Sequence, residues 1–246
     1  MNIPKCQAED YINFLIATQK AYSCTEAARV QPDKTTQASH DAILRVLYRL
    51  EPTSDRLWQE AHSFIDKSRG CLVIDDTTLD KPYANKMDLV SYHWSGKHHR
   101  VVKGINLQSL IWTDGDHLIP VDDSLYDKAK TGMTKNDSFR FMLLKAKERG
   151  FCPEYVLFDS WYTSLDNLKL IRKLGWLWLT RLTPTRSVDP DGNGNRPLSE
   201  VNIEEKGSLV HLKAYGWIKV FKLVSKERDI EYWATNNLKM NELYHS

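Results

Sequence analysis

The stretch Cys71-Leu72-Val73-Ile74-Asp75-Asp76 constrains this chain more than any other. A short apolar run bounded by polar residues is the pattern of a strand buried on both faces. Two acids follow it directly. Successive side chains on a strand point to opposite faces, so Asp75 and Asp76 are directed apart, and only one enters a given cleft. A second stretch, Tyr155-Val156-Leu157-Phe158-Asp159, has the same shape. Two buried strands, each delivering a carboxylate at its C-terminal end, predict one shared cleft. Asp76 and Asp159 are the expected pair, with Asp75 expected to cap or support rather than to ligate.

Composition narrows the classes. A chain of 246 residues with a net charge of +2 is long enough for one large or two small domains, and its total charge does not announce a nucleic-acid binder. Any basic surface must come from local clustering. No apolar run approaches the ~20 residues that span a membrane. The N-terminus lacks the apolar core of a signal peptide. The four cysteines are scattered, with no C-x-x-C pair. That pattern fits reduced thiols in a cytoplasm better than disulfides or a zinc site.

Taken in order, residues 1–68 read as helices. Ser23-Cys24-Thr25-Glu26 has capping-box spacing, and Ile43, Val46, Leu47 and Leu50 form an apolar stripe. Leu57, Trp58, Ala61, Phe64 and Ile65 form another. This region could hold DNA or could pack as a cap on the core. The chain then reads as a strand to Asp76, an irregular stretch from Leu79 to Lys97, and a strand over residues 101–112. A turn at Thr113–Asp116 and a returning strand over residues 117–125 follow. A helix capped near Asn136 or Asp137 and ended by Gly150 leads to the Asp159 strand. Another helix and a strand ending near Arg181 complete a region over residues 69–182. This order predicts an α/β architecture, a mixed sheet with flanking helices. Residues 183–246 change character, with a loop and then three short strands, and read as a small all-β insertion or appendage.

Asp76-Thr77-Thr78 at the end of a first strand, Asp159 at the end of a later one and a β-rich stretch after it resemble the DDE transposases of bacterial insertion sequences. The resemblance covers roughly residues 68–234 and, more loosely, the N-terminal helices. It implies a ribonuclease-H-like core and the cleavage and strand transfer of DNA at insertion-sequence ends. It also implies Asp76 and Asp159 as catalytic residues and metal ligands for Mg²⁺ or Mn²⁺, with two ions in a complete site. The implied partner is duplex DNA carrying terminal inverted repeats, bound by a homodimer in the cytoplasm, on the nucleoid. In such enzymes the third carboxylate is a Glu in a Y-x-x-R-x-x-x-E-x-x-x-x-x-x-K stretch on a helix. No such stretch occurs here: Glu227 and Glu231 fall in the strand region, and Glu242 lacks the flanking Arg and Lys. The chain is therefore expected to be truncated before that residue and to be slow or inactive alone. A DNA-binding remnant that inhibits the full-length enzyme is the alternative.

The residue chemistry agrees with this class. Two-metal phosphodiester cleavage uses ions ~4 Å apart, held by hard oxygen ligands. Lys97, Arg100 and Lys103 form a basic cluster, and Arg181 lies near a strand end. These four are the candidate phosphate contacts, although a solvated face is about as good a reading of the cluster. Val73-Ile74-Asp75-Asp76-Thr77 also begins like the first motif of haloacid-dehalogenase phosphatases. That motif requires an Asp where Thr77 stands, and a Gly that is absent here.

Overall fold

The structure is a computed structural model, and it describes residues 4–19, 22–32, 37–50, 52–225 and 229–243. Glu227 lies outside the described residues. The chain divides into two compact units, Met1–Arg56 and Leu57–Ser246.

The first unit is helical, with α1 (Ala8–Ala17), α2 (Cys24–Arg29) and α3 (His40–Arg49). The capping spacing at Ser23 is used as expected, its hydroxyl accepting from the Glu26 N–H at 3.1 Å. Ser39 caps α3 in the same way, through the Ala42 N–H at 3.2 Å. Cys6, Ala27, Ala38, Ala42, Ile43 and Val46 form its core. Most of these side chains are small, so this core buries little apolar area.

Helix α4 (Ser54–Ala61) runs across the division. Trp58 packs on the core of the larger unit and meets Phe151 at 5.7 Å between ring centroids. Ile65 also belongs to that core. The division therefore falls before Trp58 rather than at residue 68.

The larger unit is built on one mixed sheet. Its first strands are β1 (Cys71–Asp80), β2 (Ser91–Ser95), β3 (Arg100–Thr113) and β4 (Leu118–Leu125). Helices α5 (Lys128–Thr131) and α6 (Lys135–Glu148) follow, then β5 (Tyr155–Phe158), α7 (Leu165–Lys173) and β6 (Trp178–Leu182). A two-stranded hairpin of β7 (Ser187–Val188) and β8 (Arg196–Pro197) interrupts the chain before β9 (Ser208–Leu212), β10 (Gly216–Val224) and β11 (Ile230–Thr235). The sheet order is β2-β3-β1-β5-β6-β11-β10-β9, with β4 also paired to β3. Strands β1, β5 and β6 run parallel, while β3 is antiparallel to β1.

Two expectations change here. Strand β1 does not end at the acids but continues to Asp80, because β3 pairs with it along its whole length. Within the stretch expected to be irregular, Leu79 to Lys97, residues 81–90 do carry no helix or strand, while Ser91–Ser95 form the edge strand β2. The strands after residue 183 are not a separate appendage either: β11 pairs antiparallel with β6, Trp233 opposite Arg181, and extends the same sheet.

The sheet has two unlike faces. Even-numbered β1 residues Leu72 and Ile74 are fully buried, as are Leu110, Val156 and Trp178. Helices α6 and α7 close this face with Phe139, Met142, Leu143, Leu168 and Ile171. The ring of Phe139 stacks on Tyr162 at 5.1 Å and meets Phe158 edge-on at 5.3 Å. On the opposite face the odd-numbered Val73, Ile111, Leu157 and Leu179 are only half-buried. Alternation of side chains along each strand produces this division, so the numbering of a residue on β1 states which face it serves.

Candidate active site

Asp75 and Asp76 lie within β1, opposite Ser109 and Gln108 of β3. Asp76 is directed to the closed face, where its carboxylate is surrounded by donors. Tyr162 donates its hydroxyl to Oδ1 at 2.8 Å. Asn106 Nδ2 donates to Oδ2 at 2.7 Å, and the Lys135 ammonium sits 2.8 Å from the same oxygen. Burial alone would raise this carboxyl, but the hydrogen bonds from Asn106, Lys135 and Tyr162 and the Lys135 charge outweigh it. Asp76 therefore titrates below the usual carboxylate range. Gln108 Nε2 extends the network, donating to the Tyr162 oxygen at 2.9 Å and to the Lys135 carbonyl at 3.1 Å.

Lys135 reaches Asp76 because α6 begins there. Thr134 caps the helix in a reciprocal box with Asp137. The cap was expected two or three residues later, at Asn136 or Asp137; the Thr-x-x-Asp spacing takes precedence. His93 on β2 borders this network. Its Nε2 is buried without a hydrogen bond, and burial, helped by the Lys135 charge, lowers its pKa.

Asp159 follows β5 directly. Its Oδ1 accepts the Trp161 N–H at 2.9 Å and so caps the 3-10 turn Ser160–Tyr162. The parallel register pairs Ile74 with Phe158, so the next step along both strands places Asp159 beside Asp75, on the open face. Asp159 titrates above the usual range. Burial is the first cause, and the negative charges of Asp75 and, less strongly, Asp76 push the same way against the Trp161 N–H. One strand further, Thr180 pairs with Phe158, which places Arg181 next in the same row. The Arg181 guanidinium is bonded to Glu231 at 2.8 Å and lies over the Trp233 ring at 5.9 Å.

The other expected phosphate contacts stand apart from this row. Lys97 is exposed in the turn between β2 and β3, and Arg100 is exposed at the start of β3. Lys103 is half-buried, with Nζ 3.4 Å from Asn85 Oδ1. From Ser109, level with Asp75, Lys103 is six residues away along β3, roughly 20 Å at the usual strand rise.

Sequence reasoning missed Asn106, Gln108, Lys135, Tyr162 and His93. A signal for two of them was present: Ile105-Asn106-Leu107-Gln108 alternates with the polar residues on the side that proves to be buried.

The donor set fits a hard divalent cation. The register places Asp75 and Asp159 at neighbouring strand positions, and the upward shift of Asp159, caused first by burial and then by the charges of Asp75 and Asp76, is one that a cation would oppose. Both Asp76 oxygens accept from side chains, one of them an ammonium, whereas Asp75 Oδ1 and Asp159 Oδ1 accept backbone N–H groups, from Asp76 at 2.8 Å and from Trp161. Among the described residues, no group of three His, Cys, Asp or Glu side chains converges on one point. No described helix is long and apolar enough to cross a membrane.

The comparisons with known proteins agree with this architecture. A model of the DDE superfamily endonucleases matches residues 6–207. Among solved structures, the chain is similar to the piggyBac transposase in its synaptic complex with hairpin DNA, with a TM-score of 0.55 and 11% identity. That alignment covers 98% of this chain and 55% of the piggyBac chain, so this chain spans about half the length of that relative. A looser alignment, with a TM-score of 0.38 and 12% identity, is to the Drosophila P element transposase in its strand transfer complex, over 72% of this chain and 37% of that one. No curated protein sequence matches the chain. With most of its length matched by the family model and its mixed sheet shared with a transposase, the chain belongs to the DDE superfamily of endonucleases.

Proposed function

We propose that this chain is the catalytic part of a transposase that cleaves DNA phosphodiesters at the ends of a mobile element and transfers the freed strand. The observation that carries this reading is the state of Asp159: half-buried, next to Asp75 by the strand register, and pushed upward by partial burial and by neighbouring negative charge. Such a carboxylate is costly to a fold and useful to a metal-dependent reaction.

Asp159 and Asp75 are the residues that would hold Mg²⁺ or Mn²⁺ here. The sequence favoured Asp76 over Asp75, but the hydrogen bonds on Asp76 suit a different task. A bound divalent cation would polarise the scissile phosphate and lower the pKa of the attacking water. The chain's own residues set the geometry. The Trp161 N–H orients Asp159. The Asp76 network fixes β1 and the turn after Asp159 against each other through Tyr162. Arg181, next in the row, is placed to meet a phosphate if its bond to Glu231 opens. Lys97, Arg100 and Lys103 supply positive charge further along the same DNA.

The test is a nicking assay on supercoiled and end-sequence DNA with Mn²⁺. Nicking that is slow, metal-dependent and lost in Asp159→Asn supports the reading. DNA binding without nicking at any metal concentration favours the inhibitory, non-catalytic alternative.

A further inference from the structure

The ribbon formed by β2 and the first residues of β3 has an aromatic face with no assigned role. The register pairs Tyr92 with Lys103 and Trp94 with Val101. Tyr92 is 71% exposed, Trp94 64% and Val101 57%. Large apolar side chains displayed together on a strand edge mark an interaction surface.

The parity of β3 shows where this face leads. Residues 101, 103, 105, 107 and 109 alternate to one side of the strand, and Ser109 pairs with Asp75. The aromatic face of the ribbon and the carboxylate row are therefore one continuous face of the sheet. Beyond Asp80, which pairs with Gly104, and one further bond from the Lys81 N–H to the Lys103 carbonyl at 2.9 Å, β3 leaves β1 behind and continues against β2. Val101 lies eight residues from Ser109, roughly 26 Å along the strand. The neighbouring charge is positive, from Lys103 on the same face and from Lys97 and Arg100 at the tip.

We propose that Tyr92 and Trp94 form a stacking platform for unpaired bases of the DNA strand whose phosphodiester lies at Asp75 and Asp159. This rests on the DNA-cleaving reading above for the position of the scissile phosphate. The occupant follows from the chemistry of the face. Exposed aromatic rings interleaved with cations fit a single-stranded nucleic acid, whose bases offer flat faces and whose backbone is anionic. A duplex hides those base faces inside its stack. The platform thus selects DNA that is frayed or single-stranded at some distance from the cut, and its side chains do not touch the reacting atoms.

The experiment measures binding, with no cleavage required. The full chain is titrated by fluorescence anisotropy, in EDTA, against a blunt duplex and the same duplex with a single-stranded tail of about ten nucleotides. Wild type should bind the tailed DNA more tightly. Tyr92→Ala and Trp94→Ala should each weaken tailed-DNA binding about ten-fold and leave blunt-duplex binding within about two-fold. Trp94→Phe, which keeps a ring, should retain most of the tail preference and shows that the position tolerates substitution. Binding is read in EDTA and nicking with Mn²⁺ is read separately, so loss of the cleavage reading and loss of the platform are separate results. Alanine variants that bind tailed DNA as wild type does would overturn the proposal. So would an equal loss on both DNAs, or a self-association of the chain that Trp94→Ala abolishes without changing tail binding.

Discussion

The Tyr162 hydroxyl donates to Asp76 Oδ1 at 2.8 Å, and this bond ties the turn that begins at Asp159 to the strand that carries Asp75. The bond joins two elements 86 residues apart in the chain. Gln108 completes it from β3, so three segments meet at one buried oxygen. In this account the value of Asp76 lies in holding Asp75 and Asp159 in register.

Replacing Tyr162 by Phe keeps the ring against Phe139 but removes the donor to Asp76 Oδ1 and one of the two acceptors of Gln108 Nε2. A buried group deprived of its hydrogen bond costs about 1–3 kcal/mol. Urea unfolding of Tyr162→Phe should show a loss in that range, with the slope against denaturant unchanged.

The two acids predict opposite pH signatures. Asp159 has a raised folded pKa, so the native state binds its proton more tightly than the unfolded chain does. Its charged form costs stability as pH rises from the ordinary Asp value through the raised one. Asp159→Asn, which retains a capping side chain, should therefore melt higher than wild type at neutral pH, with the gain vanishing in acid. Asp76 has a depressed folded pKa, so its contribution is present above the unfolded value and is lost as pH falls through the folded one. Asp76→Asn should melt lower at neutral pH and converge on wild type in acid. Melting temperatures across a pH series check both signs.

Much of this arrangement was legible in the sequence, and the part that was not has a physical cause. The runs before Asp75 and Asp159 announced two buried strands, and β5 ends at Phe158 as expected. The choice between Asp75 and Asp76 depends on the register between β1 and β5, which no local pattern contains. The extension of β1 to Asp80 was hidden because Thr77, Thr78 and Asp80 read as turn residues until β3 is seen to pair with them. Lys135 lies 59 residues from Asp76, and only the packing of α6 on the sheet brings them together.

Gly104 marks where β3 leaves β1 and the ribbon begins. A Cβ at this position would lie 2.5 Å from the Leu79 carbonyl oxygen and 2.8 Å from Thr78 Cγ2. Gly104→Ala should cost about 1–3 kcal/mol through forced separation of the strands. Hydrogen exchange should locate the loosening at residues 77–80 rather than at the core of the sheet.

The basic tip gives a salt signature. If Lys97, Arg100 and Lys103 each neutralise one phosphate, replacing any one by Gln should reduce the log–log salt slope of duplex binding by roughly 0.9. Binding titrations over a series of salt concentrations read this slope directly. A slope unchanged by all three substitutions would remove the tip from the DNA path.

The central claim is that Asp75 and Asp159, rather than Asp76, form the metal pair. Mn²⁺ binding to the free chain, followed by calorimetry or by the paramagnetic resonance of the ion, tests it without any need for turnover. Binding should be weak in wild type, abolished in Asp75→Asn and in Asp159→Asn, and kept within a few-fold in Asp76→Asn when that variant is folded. Binding that survives Asp75→Asn and is lost in Asp76→Asn would contradict it.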